Sequence, residues 1–91
     1  MKVQLAPKLI QHLKKQDVRI RKSFQITIKL FSKDPYNPHL NNHALRRKWA
    51  GFRSINITSN WRAIYKVVDE GEEVYAYFVT LGTHKQLYRT N

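Results

Sequence analysis

Between residues 43 and 88 the chain is punctuated in a way that leaves few folds open. Three segments rich in β-branched and aromatic residues follow one another, separated by Ser59-Asn60 and by Asp69-Glu70-Gly71-Glu72. Breaks this short fit hairpin loops, and Gly71 can supply the positive φ that such a loop needs. Residues 51–58 alternate, with Arg53, Ile55 and Ile57 on one side and Phe52, Ser54 and Asn56 on the other. Residues 61–68 form the return strand. Residues 73–81, dense in Val, Tyr and Phe, read as a central or penultimate strand. Residues 43–49 leave room for a short edge strand, and a GTHKQLY tail closes the series.

The first third has a different period. Met1, Val3 and Leu5 alternate with Lys2 and Gln4, as in a short strand. Pro7 suits the first turn of a helix, where its missing N–H costs nothing. Leu9, Ile10 and Leu13 then share one face, and Asp17 is an N-cap for a second helix. Ile20, Phe24, Ile28 and Phe31 make a helical stripe, although Phe24, Ile26, Ile28 and Leu30 also alternate like a strand. A segment of about 17 residues exceeds a usual strand, which favours helix. Pro35, Asn37, Pro38, Asn41 and Asn42 make residues 34–42 a loop. The expectation is one α+β domain over residues 1–91. Two N-terminal helices pack on one face of a small, mostly antiparallel four-stranded sheet with a short C-terminal tail, and the other face is free to bind.

Charge narrows the function. Seventeen Lys and Arg against six Asp and Glu give a formal net charge of +11, which calls for an anionic partner. Nine of the basic residues lie in the first 33 positions beside the single acid Asp17, whereas Asp69, Glu70, Glu72 and Glu73 crowd one hairpin loop away from any such partner. No apolar run approaches the roughly 18 residues of a membrane span, and the N-terminus lacks the apolar core of a signal peptide. The absence of cysteine fits a reducing compartment, so the chain reads as cytoplasmic. Scattered histidines offer no metal-ligand spacing, and three glycines form no phosphate loop. Neither a metal nor a nucleotide cofactor is expected.

The elements Asn37-Pro38, His43-x-Leu45, Gly51-Phe52-Arg53, Trp61-Arg62-x-Ile64-Tyr65, Gly82-x-His84 and Leu87-Tyr88, in this order, carry a resemblance. The pattern resembles the RelE/ParE superfamily of toxins, and within it the YafQ-like ribosome-dependent mRNA interferases. The resemblance implies a RelE-like fold and the toxin of a type II toxin–antitoxin system. Such a toxin enters the ribosomal A site and cuts mRNA there without metal, and a cognate antitoxin restrains it. The expected partners are thus an antitoxin protein, the ribosome with its rRNA, and mRNA. The 2′-hydroxyl attacks the adjacent phosphate, so one proton is taken, another delivered, and charge on phosphorus stabilised. Histidine suits the proton transfers and Arg the charge.

By position, the resemblance makes His84 the catalytic histidine, with Tyr88 an aromatic residue near the RNA and His43 at the edge of the same site. Arg62 matches an arginine of RelE-type toxins that contacts the scissile phosphate, and Arg53 matches a basic residue after the Gly-aromatic pair. Arg46, Arg47, Lys48 and Lys85 are expected to attract phosphate. Asn56 and Asn60 join them as RNA contacts, but each marks a departure. Asn56 stands where the YafQ-like pattern has a second histidine, and Asn60 where it has an aspartate. Asparagine hydrogen-bonds but carries no proton at neutral pH. Outside this set, His12 and His39 read as surface residues, and Trp61, Tyr65, Tyr75, Tyr77 and Phe78 as sheet core. Three functions stay open: an endoribonuclease toxin, a ParE-like gyrase inhibitor that does no chemistry, and a catalytically degraded RNA-binding member of the same fold.

Overall fold

The computed structural model of the protein describes residues 1–88. The chain runs β1 (Lys2–Leu5), α1 (Pro7–Lys14), α2 (Val18–Lys33), β2 (His43–Ala44), β3 (Arg53–Asn56), β4 (Trp61–Asp69), β5 (Val74–Thr83) and α3 (His84–Tyr88), with 3-10 turns at Pro38–Leu40 and Arg47–Trp49. The strands form one sheet in the order β1-β5-β4-β3-β2. Strands β2 to β5 are antiparallel neighbours, while β1 runs parallel to β5.

The sheet therefore has five strands and is mixed, which corrects the expected four-stranded count. Two residues of β2 are too few to show a period, and nothing in β1 itself records which way its partner runs. The tail is also not a plain extension. Its residues 84–88 form α3, which lies on the sheet face expected to be free.

Local signals explain the helices. Pro7 opens α1. Asp17 caps α2 by accepting from the Ile20 N–H at 3.0 Å, which satisfies one of the helix's orphan donors. The helical stripe prevails over the strand alternation. Phe24 and Phe31 are buried and Ile20 and Ile28 pack against the core, whereas Ile26 is 71% exposed. Phe31 stands edge-on to Tyr65 and Phe78, with ring centroids 5.0 and 5.2 Å away. Leu9, Leu40, Ile55, Ala63 and Leu81 complete the core between the helices and the sheet.

A register shift between Ile64 and Tyr65 decides which residues face the helices. Tyr65 pairs with Phe78 but Ile64 with Thr80, so β5 carries one extra residue, Val79. Phe78 and Leu81, three apart, would otherwise point to opposite faces. The bulge turns both into the core and leaves Gly82 on the far face. That far face is where α3 packs.

Candidate functional site on the far face of the sheet

Cross-strand partners share a face, so the register assembles the site. Ser54 is paired with His43 on one side and Ile64 on the other, and Asn56 with Arg62. Arg62 is in turn paired with Gly82. His43, Ser54, Asn56, Arg62 and Gly82 thus lie on one face, opposite the helices. Gly82 is bare for a reason: a Cβ there would stand 3.1 Å from Gln86 Oε1 and 3.3 Å from Leu87 Cδ2. Helix α3 sits directly over it.

Four contacts fix α3, which at five residues could not hold itself as a helix. Thr83 and Gln86 form a reciprocal cap. The Thr83 N–H donates to Gln86 Oε1 at 2.9 Å, and the Gln86 N–H donates to Thr83 Oγ1 at 3.1 Å. The His84 N–H donates to the Asn60 carbonyl at 2.9 Å, tying the helix to the β3–β4 turn. Trp49 Nε1 donates to the Leu87 carbonyl at 3.2 Å. The Tyr88 hydroxyl donates to Ser54 Oγ at 3.1 Å. Held in this way, α3 leaves His84 exposed, with its imidazole 4.7 Å from the Tyr88 ring in an edge-on arrangement.

Arg62 reaches the β3–β4 turn. Its Nη1 donates to the carbonyls of Thr58 (2.9 Å), Ser59 (3.2 Å) and Trp61 (3.1 Å). One nitrogen is thereby fixed, and among the described residues Nε and Nη2 have no partner. His43 is exposed, and its Nδ1 lies 2.8 Å from the Asn41 carbonyl. A carbonyl only accepts, so Nδ1 carries a proton and Nε2 is the nitrogen left to take or give one. Asn56 holds a buried side-chain oxygen with no hydrogen-bond partner, an arrangement that costs roughly 1–3 kcal/mol.

Other expected residues lie elsewhere. Arg53 pairs with Tyr65 and so faces the helices, away from Arg62. Its Nε donates to Asn42 Oδ1 at 2.9 Å and its guanidinium lies 5.5 Å from the centre of the Tyr36 ring. Arg46, Arg47 and Lys48 are exposed around the turn that ends at Trp49, so they flank the anchor of α3. Lys85 is exposed on α3 itself. Asn60 is exposed in the β3–β4 turn and contributes its carbonyl to His84.

Trp61 and Tyr77 pack against the core, and Tyr65 and Phe78 belong to it. His12, expected as a surface residue, is half-buried and stacks on Trp61 at 6.2 Å. Sequence reasoning missed Ser54, Trp49, Thr83 and Gln86. The last two were legible as a Thr-x-x-Gln capping box, whereas nothing local marks the first two.

A separate cleft of about 290 Å³ opens beside α2, lined by Thr27, Leu30, His39, Leu40 and residues 56–59. Asn56 reaches its wall, but His43, Arg62, His84 and Tyr88 do not. Those four occupy open surface, which suits a polymer laid across it better than an enclosed small molecule. Among the described residues no group of three or more His, Cys, Asp or Glu is placed to hold a metal ion, and no helix is long and apolar enough to cross a membrane.

Comparison with known proteins bears on the family and the fold. Residues 4–89 match the family model described as the bacterial toxin of type II toxin–antitoxin systems, YafQ. YafQ from E. coli strain BL21(DE3) superposes with a TM-score of 0.75 at 20% identity, covering 96% of this chain and 97% of that one. A YoeB/ParE toxin from Agrobacterium tumefaciens gives 0.72 at 21% identity, covering 92% and 99%. The E. coli DinJ–YafQ complex gives 0.62 at 21% identity, covering 96% and 97%. No curated protein sequence matches the chain. At these identities the structures show a shared fold, while the family match spans nearly the whole sequence. The chain belongs to the YafQ family of bacterial type II toxin–antitoxin toxins.

Proposed function

We propose that this toxin is a ribosome-dependent endoribonuclease that cuts translated mRNA by attack of a 2′-hydroxyl on the adjacent phosphate. The observation that carries the reading is the convergence of His43, Arg62 and the His84-bearing helix on one open face of the sheet. In the reaction the 2′-oxygen loses its proton and bonds to phosphorus. The bond from phosphorus to the 5′-oxygen breaks, and that oxygen gains a proton. The products are a 2′,3′-cyclic phosphate and a 5′-hydroxyl, so no water or co-reactant is consumed.

Two proton transfers need one group to take a proton and another to deliver one. His84 and Nε2 of His43 supply them. Arg62, with Nη1 fixed by three carbonyls, aims its other donors at the phosphate oxygens, where charge grows in the transition state. Asn56, opposite Arg62 in the strand register, hydrogen-bonds the RNA and orients it without carrying a proton. Arg46, Arg47, Lys48 and Lys85 hold the flanking phosphates.

The partners follow from the same chemistry: mRNA in the A site, the surrounding rRNA, and a cognate antitoxin that keeps the toxin inactive in the cytoplasm. The solved DinJ–YafQ complex supports the last of these by analogy. No step calls on a metal ion as cofactor.

A reconstituted translation reaction tests the proposal, comparing wild type with His84→Ala and Arg62→Ala. Cuts within translated codons are expected from wild type and should fall at least about 100-fold in either variant. Translation arrest without cuts, or arrest that both variants preserve, would contradict the proposal and turn attention to a binding inhibitor, with gyrase supercoiling the next assay.

A further inference from the structure

Ser54 is a polar side chain with 0% exposure, in a strand whose neighbour Ile55 and cross-strand partner Ile64 are equally buried. A hydroxyl in such surroundings is costly unless it is hydrogen-bonded. Its partner is the Tyr88 hydroxyl, 34 residues away in sequence. The Tyr88 ring in turn stands edge-on to the His84 imidazole at 4.7 Å with an interplanar angle of 64°. Among the described residues the His84 ring makes no side-chain hydrogen bond; the Tyr88 ring packs against it, and Ser54 is the fixed point behind Tyr88.

We propose that Ser54 is a positioning residue for His84, acting through the Tyr88 phenol, and that this phenol serves as a lever and not as a proton carrier. The proposal rests on the reading that His84 transfers a proton in mRNA cleavage. Three features support it. The phenol oxygen is engaged by Ser54 Oγ at 3.1 Å, which holds the ring in place. Ser54 sits in β3, paired on both sides, and is therefore a rigid anchor. Helix α3 has only five residues, so without side-chain ties its orientation would drift, and a misplacement of about 1 Å costs on the order of 100-fold in rate.

The test uses the full-length toxin with Ser54→Ala, Tyr88→Phe and the double variant. Each single change removes one end of the same hydrogen bond. Each should lower single-turnover cleavage on programmed ribosomes by about five- to tenfold, and the double variant should be no worse than either alone. Apparent affinity for the ribosome should not change. In the free protein, the His84 imidazole resonances should move in both single variants. That arm needs no cleavage, so it tests the lever even if the toxin proves not to cut RNA. Tyr88 is only half-buried, so Tyr88→Phe keeps the comparison available should Ser54→Ala fail to fold.

Three results would overturn the proposal. One is a Tyr88→Phe loss far larger than that of Ser54→Ala, which would make the phenol a direct participant. Another is additive losses in the double variant. The last is His84 resonances unmoved by either change.

Discussion

Tyr65 shows how a core residue can also anchor a polar network on the helix side of the sheet. It is 2% exposed, yet its hydroxyl accepts from Asn42 Nδ2 at 2.7 Å, and Asn42 Oδ1 in turn accepts from Arg53. Burial pushes the Tyr65 phenol above its ordinary value of 10.0, against smaller downward pulls from Asn42 and Arg53. The folded chain therefore holds this proton to higher pH than the unfolded chain does. The resulting stability is complete below pH 10 and is lost as pH rises through the folded value. Tyr65→Phe should cost about 1 kcal/mol at neutral pH, because Asn42 loses an acceptor. Above pH 10 its stability should fall less steeply than that of wild type, by up to about 1.4 kcal/mol per pH unit. Thermal melts between pH 8 and 11 check both, and parallel alkaline slopes would contradict the burial argument.

Individual residues were unevenly legible in the sequence. The Asp17 cap and the Phe24–Phe31 stripe could be read because both depend on local spacing. Arg53 shows the opposite case. The alternation already grouped it with Ile55 and Ile57, the side that proves to face the helices, but a resemblance between motifs carries no orientation. Ser54 could not be found at all, because its importance comes from a partner 34 residues away.

Among the elements, α3 has the most consequence for its size. The segment is too short to show a helical period, and its existence depends on Gly82 beneath it, Trp49 beside it and the Thr83–Gln86 cap at its start. Gly82→Ala places a Cβ 3.1 Å from Gln86 Oε1 and 3.3 Å from Leu87 Cδ2, so those side chains must give way by a few tenths of an ångström and the seat of α3 loosens. The expected cost is about 1–3 kcal/mol, the usual range for overpacking, with cleavage reduced more than tenfold. Far-UV circular dichroism should change little. Full activity in a stably folded Gly82→Ala protein would show that the seating of α3 is not needed. The bulge at Val79 is the other element hidden from the sequence. It was invisible because Val79 is as good a strand residue as its neighbours, and yet it sets the face on which Gly82 lies.

At the scale of the whole molecule, charge and topology divide the work. The nine basic residues of the first 33 positions are all exposed, on and around the helical layer. Asp69, Glu70, Glu72 and Glu73 sit at the β4–β5 hairpin, the far end of a nine-residue strand from Trp61, or roughly 26 Å at the usual rise. The Lys2–Glu73 ion pair, 3.8 Å long, is exposed and adds little. A body carrying a formal +11 repels itself. Its melting temperature should rise by several degrees as sodium chloride increases from about 20 to 300 mM, since screening shortens the range of that repulsion. A falling melting temperature would mean that attractive pairs dominate. The α+β class and the hairpin series were legible at this scale because period and punctuation record them. The parallel pairing of β1 was not, since strand direction depends on the whole topology.

If the far face of the sheet directs a 2′-hydroxyl onto its neighbouring phosphate, cleavage depends on that hydroxyl. The most direct measurement stalls ribosomes with a single defined codon in the A site, carrying either ribose throughout or one 2′-deoxy nucleotide at the cut position. The toxin should cleave the ribose message to leave a 2′,3′-cyclic phosphate and should leave the 2′-deoxy message intact. Equal cutting of both messages, or cutting of neither while translation still stops, would contradict the account.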